Sequence, residues 1–254
     1  MSLSRTSLRT SLIAAGCAAL MAFGAGTASA ATQVSWTGAT PAANGNLFLH
    51  NSTITNDGGL FARTKIWSAT GAQVPAFDIA ARARLFKSGI ICQVVEFTYN
   101  TDWASQLEIS TDGANCGTGS YNSHGYVRTY DNSAGYRDYF TFPTNPIDFV
   151  APAARSAAPE GEAPAVESFT VDGQTFGPAD PAKPDTEQPT FVAAYTDSGE
   201  QGFIRSADLI TEPVDRSAAE QLQKDGSGQA HTPSRQISVY SEDGATQIGV
   251  LSTL

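Results

Sequence analysis

Apolar, β-branched and aromatic runs separated by Gly, Asn and Asp predict a chain built mainly of short β-strands. Residues 90–99, IICQVVEFTY, are almost continuously apolar, which is typical of a strand covered on both faces. Residues 105–110, SQLEIS, alternate instead. The clearest hairpin pairs GYVRTY with YRDYFTF across the turn at 131–135. This spacing of strands predicts an antiparallel β-sandwich or barrel over residues 31–150.

The second half of the chain has a mixed pattern. Three short apolar segments predict strands, at 169–171, 190–195 and 202–210. Ser217, with Glu220 three residues later, forms a capping-box pattern that predicts a short helix. The final ISVYSEDGATQIGVLS alternates on both sides of a Glu-Asp-Gly-Ala turn, which predicts a terminal hairpin. We therefore expect a small α+β unit over residues 166–254.

Two proline-rich segments separate these elements. Residues 151–165, APAARSAAPEGEAPA, are low in complexity and lack large apolar side chains, as in a stiff linker. Residues 177–189, GPADPAKPDTEQP, predict an extended loop because proline removes backbone donors and disfavours helix.

The N-terminal residues 1–30 have the three parts of a secretory signal. Two arginines precede an apolar, Ala-rich stretch at 12–26, and small residues follow at 28–30. This pattern predicts cleavage between Ala30 and Ala31 and therefore a secreted, extracellular protein. No other apolar run approaches the length of a membrane span, so we expect no integral span in the mature chain.

Two other readings of this N-terminus remain open. A membrane anchor would need a longer stretch, because the apolar part covers only about 15 residues. A lipoprotein would be lipidated at Cys17, which follows Ala-Ala-Gly, but the apolar stretch continues beyond that cysteine.

Removal of the signal leaves two cysteines, Cys92 and Cys116. An even pair in an oxidising compartment predicts a structural disulfide, here closing a loop of about 25 residues. The sequence has no CxxC motif and no Cys/His cluster, and we expect neither a metal nor another cofactor.

Charge divides unevenly along the chain of 254 residues, whose formal net charge is −10. Residues 31–150 carry 7 basic and 9 acidic side chains, whereas residues 151–254 carry 6 and 16. An acidic chain is a poor match for a phosphate backbone, so nucleic acid is not an expected partner.

Catalytic motifs are absent from the sequence, which contains no GxSxG, HExxH or GxGxxG. The three histidines are His50, His124 and His231. His124 is a weak candidate base, although its setting in SYNSHGYV predicts an exposed turn. Glu96 is the second weak candidate, because it lies on an apolar strand where a carboxyl group can be buried.

Aromatic residues supply the best candidate for binding. Tyr126, Arg128 and Tyr130 share one face of the GYVRTY strand, and Tyr121 lies shortly before it. A row of tyrosines with an arginine can stack on sugar rings or anchor a protein partner. The alternative is ordinary cross-strand pairing on a half-exposed sheet.

Several of these segments resemble secreted proteins of high-GC actinobacteria that are uncharacterised. The stretch from LFKSGIICQVVEFTYN to CGTGSYNSHGYVRTYDNSAGYRDYFTFPTNP carries the two cysteines, a CGxGxYxSxG run and an aromatic hairpin ending in Thr-Phe-Pro. GFIRSADL through ISVYSEDGATQIG is similar to the C-terminal region of other exported actinobacterial proteins. GFIRSADL alone is also similar to a strand of bacterial SH3-type wall-binding modules. The resemblance transfers no catalytic residue.

These observations together predict a secreted, non-enzymatic protein with an extracellular or cell-envelope binding role. The expected partner is a cell-wall glycan or an extracellular protein. Two alternatives belong to other classes: a hydrolase of wall polymers or polysaccharides that uses His124 or Glu96, and a bacteriocin-like antagonistic protein.

Overall fold

A computed structural model describes residues 30–151, 166–181, 183–210, 215–223 and 234–254. The structure is 47% strand and 8% helix, which confirms the mainly β prediction. The predicted export signal, apart from Ala30, and all but the first residue of the predicted linker at 151–165 lie outside the described residues. Within the described ranges, no helix combines the length and the apolar character needed to cross a membrane.

The described residues form nineteen strands and one α-helix. In chain order the strands are β1 (Thr32–Val34), β2 (Gly38–Ala39), β3 (Phe48–Thr55), β4 (Phe61–Ser68), β5 (Ile79–Arg82), β6 (Arg84–Lys87), β7 (Ile90–Val94), β8 (Thr98–Tyr99), β9 (Gln106–Ser110), β10 (Gly119–Ser123), β11 (Tyr126–Asp131), β12 (Gly135–Phe140), β13 (Ile147–Phe149), β14 (Phe169–Val171), β15 (Gln174–Gly177), β16 (Phe191–Tyr195), β17 (Gln201–Arg205), β18 (Gln236–Tyr240) and β19 (Gln247–Ser252). The helix α1 spans Arg216–Gln223, and two 3₁₀ helices span Asp185–Glu187 and Ser206–Leu209.

The first sheet contains five antiparallel strands in the order β1-β3-β4-β9, with β2 also paired to β3. Along most of β3 and β4, buried residues alternate with half-buried ones. The buried side packs Phe48 and Ile66 against Ile79 and Val127 of a second sheet. A period of two is the pattern of one covered face and one open face, so the other side of this sheet faces outward.

The second sheet has four antiparallel strands in the order β12-β11-β5-β8. Strands β11 and β12 form the predicted hairpin, with Tyr126 opposite Phe140 at one end and Asp131 opposite Gly135 at the other. The predicted terminal hairpin also forms, from β18 and β19. Both hairpin predictions are therefore confirmed.

A single residue, Ala83, separates β5 from β6, and there the chain passes from the second sheet into the third. Arg82 ends β5 and Arg84 begins β6, and every residue of both strands is buried. Guanidinium groups at such positions cannot reach bulk water, and a buried charge is tolerated only with ionic or hydrogen-bonding partners.

The third sheet has ten strands, in the order β13-β10-β6-β7-β16-β17-β18-β19, with β14 and β15 attached at β16. The halves meet where β7 and β16 run parallel, with Ile91 opposite Ala194. One core cluster contains Cys92 and Tyr121 together with Phe176 and Phe191. The two halves of the sequence therefore share one sheet and one core.

The predicted disulfide is present. Cys92 of β7 is bonded to Cys116, with 6.0 Å between their Cα atoms and a sequence separation of 24. The phenol of Tyr121 accepts a hydrogen bond from the Cys116 N–H and donates one to the Gly117 carbonyl. The loop that carries Cys116 is thus fixed both covalently and by a buried tyrosine.

Two local predictions differ from the structure. The apolar run at 90–99 is not one strand, because residues 95–97 separate β7 from β8. The helix begins earlier than the capping box at Ser217 predicted: the Asp215 carboxylate accepts hydrogen bonds from the Ala218 N–H and the Ser217 hydroxyl. Asp215 therefore caps α1, since a carboxylate at this position satisfies a free N–H of the first turn.

We predict that residues 31–150 do not fold cooperatively when expressed without the second half. Strand β7 would lose its neighbour β16, and an apolar strand would become an open sheet edge. Near-UV circular dichroism and urea unfolding of the fragment test this, with the chain from residue 31 onward as the control. A single sharp unfolding transition of the isolated fragment would contradict the prediction.

We also predict that the double substitution Cys92→Ala and Cys116→Ala lowers the free energy of unfolding by about 3.5 kcal/mol, the chain-entropy value for a loop of about 25 residues. Urea unfolding measures the difference. The unsubstituted protein in reductant is the control and is expected to match the double variant. A loss below about 1 kcal/mol would mean that the reduced, unfolded chain is already compact.

Candidate functional site

Tyr126 and Arg128 share one face of β11, as the alternation predicts, but both side chains are buried. Elements from the second half of the chain cover that face. Ala219 of α1 packs in the same core cluster as Tyr126, and the backbone N–H of Asp185 donates to the Tyr126 phenol oxygen at 2.7 Å. The predicted row is therefore not an exposed surface in this structure.

The centre of this region is an ion cluster around Asp185. Arg84 Nη1 lies 2.7 Å from one carboxylate oxygen of Asp185, and Arg82 Nη1 lies 3.4 Å from the other. All three side chains are buried. Asp185 belongs to the proline-rich segment that was predicted to be a loop, so the second half of the chain supplies the carboxylate for two arginines of the first.

Arg128 is held by a separate and tighter pair. Its Nε and Nη2 donate to the two carboxylate oxygens of Asp138, at 2.5 and 2.7 Å, and its Nη1 donates to the Tyr99 phenol at 2.8 Å. The two residues face each other across the β11–β12 hairpin. A bidentate arginine–carboxylate pair of this kind is among the strongest hydrogen-bonded contacts in proteins.

His124 is buried, so the expectation of an exposed turn histidine is wrong. Its ring stacks on Phe86, with 4.1 Å between ring centres, and its Nδ1 lies 3.0 Å from Arg84 Nη2. Burial, with the Arg84 charge as a second cause, holds the pKa of His124 well below its ordinary value of 6.5. His124 is therefore a neutral ring that accepts a hydrogen bond from Arg84. His50 is also buried, in β3, and His231 lies outside the described residues.

Glu96 is buried, and its Oε1 accepts a hydrogen bond from Arg235 Nε at 2.7 Å. The carboxylate lies in the connection between β7 and β8, and its partner comes from just before β18. Glu96 is thus part of an ion pair between distant segments of the chain.

The other two tyrosines of the predicted binding row lie elsewhere. Tyr121 is fully buried beside the disulfide, where its ring meets Phe149 edge to face. Tyr130 is half-buried, and the Arg216 guanidinium of α1 lies 5.5 Å from its ring centre. Of the four residues predicted to bind, the structure brings only Tyr126 and Arg128 into one cluster.

Sequence reasoning missed Arg82, Arg84 and Asp185. The available signal was the segment IAARARLF at 79–86, which places two arginines inside an otherwise apolar run. Their common partner is about a hundred residues away, in a segment that composition marks as a solvated loop.

The charges in this cluster stay fixed around neutral pH. Burial acts to raise the pKa of Asp185, but the Arg84 and Arg82 guanidiniums outweigh it and hold that pKa below its ordinary value of 3.8. Burial raises the pKa of Tyr126 to about 12. An ionised Asp185, a protonated Tyr126 and a neutral His124 offer fixed charges and hydrogen-bond donors, which suits binding better than proton transfer.

A pocket of about 180 Å³ opens onto this cluster. Its polar wall contains Arg82, Tyr126, Asp138 and Asp185. Its other lining residues are Phe97, Phe140, Pro184, Thr186 and Ile210. Neither His124 nor Glu96 lines the pocket.

A second surface of interest is the outer face of the first sheet. The strand register places the outward side chains in three rows across β3, β4 and β9: Leu49, Trp67 and Gln106; Asn51, Lys65 and Glu108; Thr53, Arg63 and Ser110. The Lys65 ammonium lies 5.8 Å from the centre of the Trp67 ring system. On this outer face, the indole of Trp67 therefore has one cation, Lys65, and several polar side chains as neighbours.

All three tryptophans of the chain belong to this sheet or its margins. Trp67 lies near the end of β4, an inner strand, and is half-buried, whereas Trp36, between β1 and β2, is 82% exposed and Trp103, just before β9, is 62% exposed. Large exposed aromatic side chains are uncommon on a surface that has no partner.

Comparison of the chain with protein-family models, curated proteins and solved structures finds no match. The resemblance to secreted actinobacterial proteins stays a prediction. The described residues contain no group of three or more His, Cys, Asp or Glu side chains placed to hold a metal ion.

We predict that Asp185→Asn lowers the free energy of unfolding by about 3–5 kcal/mol, because it leaves two buried guanidiniums without their anion. The native state holds the Asp185 pKa below the unfolded value, so its contribution is present above about pH 4 and is lost as the pH falls further. Urea unfolding at pH 7 and at pH 3 measures both effects. The difference between variant and wild type is expected to narrow at pH 3.

Asp180→Asn is the matched control for that substitution. Asp180 lies in the same segment and pairs with Lys183 at 3.2 Å, but both side chains are more than a third exposed. Loss of an exposed pair changes stability by at most about 1 kcal/mol. Equal losses in the two variants would show that Asp185 does not hold the cluster together.

Proposed function

We propose that the protein is exported and binds an anionic glycan of the cell envelope, without catalysis, through the outer face of its first sheet. The secretory pattern of residues 1–30 supports export. The two weak catalytic candidates, His124 and Glu96, are both buried in ionic contacts, which favours a binding role over a hydrolytic one.

The observation that carries this proposal is the group of three tryptophans on or beside the first sheet, of which Trp36 and Trp103 are exposed and Trp67 is half-buried. An indole offers a wide apolar face to the C–H groups of a sugar ring, while neighbouring polar side chains hydrogen-bond its hydroxyls. Trp67 has Lys65 and Asn51 in the next row on the same face. Phe61, at the far end of β4, is less accessible because the loops at Gly59 and Gly113 approach its ring.

Charge favours an anionic glycan over a neutral one. Among the nine outward side chains in these rows, two are cationic, Arg63 and Lys65, and one is anionic, Glu108. This face therefore has a net charge of +1 on a chain whose formal net charge is −10. A local positive patch on an acidic protein directs polyanions to that patch.

The width of the surface favours a polymer over a single small molecule. Trp36 and Trp103 lie near opposite edges of the sheet, three strand spacings apart, which is about 14 Å. Trp67 lies on β4, between these edges, so a ligand that reaches more than one tryptophan has to be longer than a single sugar ring.

We predict that Trp67→Ala, combined with Trp36→Ala, weakens binding to isolated cell-wall material by about tenfold or more, because aromatic anchors dominate binding energy at such surfaces. Co-sedimentation with insoluble wall material measures this. Phe142→Ala is the matched control, since Phe142 is an exposed aromatic residue outside the five-stranded sheet.

The nature of the glycan is tested with wall material before and after its covalently attached anionic polymers are removed. Binding is expected to fall after their removal and to weaken with added salt, because exposed charge contacts are screened. Equal sedimentation of the double variant and of Phe142→Ala would overturn the proposal. Binding that survives removal of the polymers would overturn the anionic glycan specifically.

A further inference from the structure

The pocket beside the ion cluster contains an arginine whose hydrogen bonds are incomplete. Arg82 is 1% exposed and lines the pocket, yet its Nε and Nη2 have no hydrogen-bond partner among the described residues. Its one ionic contact, from Nη1 to Asp185, is 3.4 Å long, at the outer limit of a hydrogen bond. Buried guanidinium groups normally have their donors satisfied, so this one marks a site for an additional acceptor.

The charges around the pocket also leave one positive charge without a matching negative charge. The cations are Arg82, Arg84, Arg128 and Arg235, and the anions are Glu96, Asp138 and Asp185. Asp138 forms an ion pair with Arg128, and Glu96 forms one with Arg235. The shortest ionic contact of Asp185 is with Arg84. Four cations and three anions leave one positive charge in excess, and Arg82 has the longest ionic contact of the four arginines; Glu96, whose Oε2 has no hydrogen-bond partner, also attracts it. Burial lowers the pKa of its guanidinium, yet guanidiniums remain protonated in proteins, so the charge requires an anion.

We propose that this pocket binds a small organic monoanion, a carboxylate with an apolar substituent, whose carboxylate completes the hydrogen bonding of Arg82. A carboxylate has the planar, two-oxygen geometry that matches the guanidinium fork. The weak contact between Arg82 and Asp185 leaves the guanidinium able to turn toward such a ligand.

The pocket walls select the charge of the ligand. The carboxylates of Asp138 and Asp185 both line the pocket and would repel a second negative charge. A monoanion balances the one positive charge in excess, whereas inorganic phosphate or a dicarboxylate would add negative charge that nothing in the pocket neutralises.

The same walls select an apolar substituent. Phe97, Phe140 and Ile210 line the pocket together with Pro184, and they offer few hydrogen bonds to a polar group. The cavity volume of about 180 Å³ limits the ligand to a small molecule. The ligand is therefore a short branched or aromatic acid rather than a sugar or a peptide.

This inference does not depend on the proposed glycan surface. The pocket is formed by β5, β11, β12 and the proline-rich segment, whereas the tryptophan face belongs to the first sheet. Loss of one binding activity is therefore expected to leave the other intact.

The test uses the whole mature chain with defined probes. Benzoate and 3-methylbutanoate are titrated into ¹⁵N-labelled protein, with benzamide as the neutral analogue of the same shape and phosphate as the polyvalent anion. We expect saturable shift changes in the amide signals of Tyr126, Asp138 and Asp185 with the two carboxylates only. Binding of benzamide as tight as that of benzoate would overturn the role of Arg82. Absence of saturable binding by either carboxylate would mean that the pocket holds only water.

Three variants separate ligand binding from stability. Arg82→Met removes the unpaired charge and is expected to abolish benzoate binding while the Tm of the free protein is unchanged or higher, because replacing a buried charge by an apolar side chain is often neutral or stabilising. Phe140→Asp places a carboxylate at the pocket wall and is expected to weaken benzoate binding about tenfold or more through like-charge repulsion. Phe142→Asp adds the same charge two residues away, outside the pocket lining, and is expected to bind benzoate as the wild type does. Unchanged affinity in Phe140→Asp, or equal losses in the two aspartate variants, would overturn the site.

Discussion

The need of two buried guanidinium groups, those of Arg82 and Arg84, for a carboxylate partner governs how the two halves of this chain meet. Arg82, Arg84 and Arg128 are all almost completely removed from solvent, and ions in such places are stable only with close counter-charges. Asp185 arrives from a segment about a hundred residues later in the chain, and Arg235 reaches Glu96 across 139 residues. These pairs, with the parallel contact of β7 and β16, make the two compositional halves one structure.

The same constraint changes the surface of the protein. Residues 31–150 carry seven basic side chains, and four of them are buried: Arg82, Arg84, Lys87 and Arg128. The three that remain nearer the surface are Arg63, Lys65 and Arg137, and the first two precede Trp67 on the outer face of β4. Most basic side chains of residues 31–150 are thus buried, whereas two tryptophans stay exposed. Buried polar groups and exposed large aromatic groups are the two departures from ordinary packing that most often accompany binding.

Much of the fold could be predicted because the relevant signals are local. Turn residues and alternation located both hairpins, and the pairing of Cys92 with Cys116 followed from there being two cysteines in the predicted mature chain. The candidate site was less predictable. Alternation shows that Tyr126 and Arg128 share a face, but it does not show whether another element covers that face. His124 was placed in an exposed turn for the same reason, since Phe86 and Arg84 surround it only after the sheets have assembled.

The sequence by itself indicated the strand-rich class, the hairpins and the disulfide, because these depend on side-chain period, on turn chemistry and on the two cysteines outside the predicted signal. It also contained the arginines and tryptophans, but not their environments. Only the tertiary structure decided that the face of β11 with Tyr126 and Arg128 is buried and that Asp185 neutralises Arg84. It also decided that Arg82 lies beside a pocket with two N–H-bearing nitrogens that have no hydrogen-bond partner among the described residues. The physical reason is that burial and ion pairing depend on segments a hundred residues apart, whose contact no local pattern encodes.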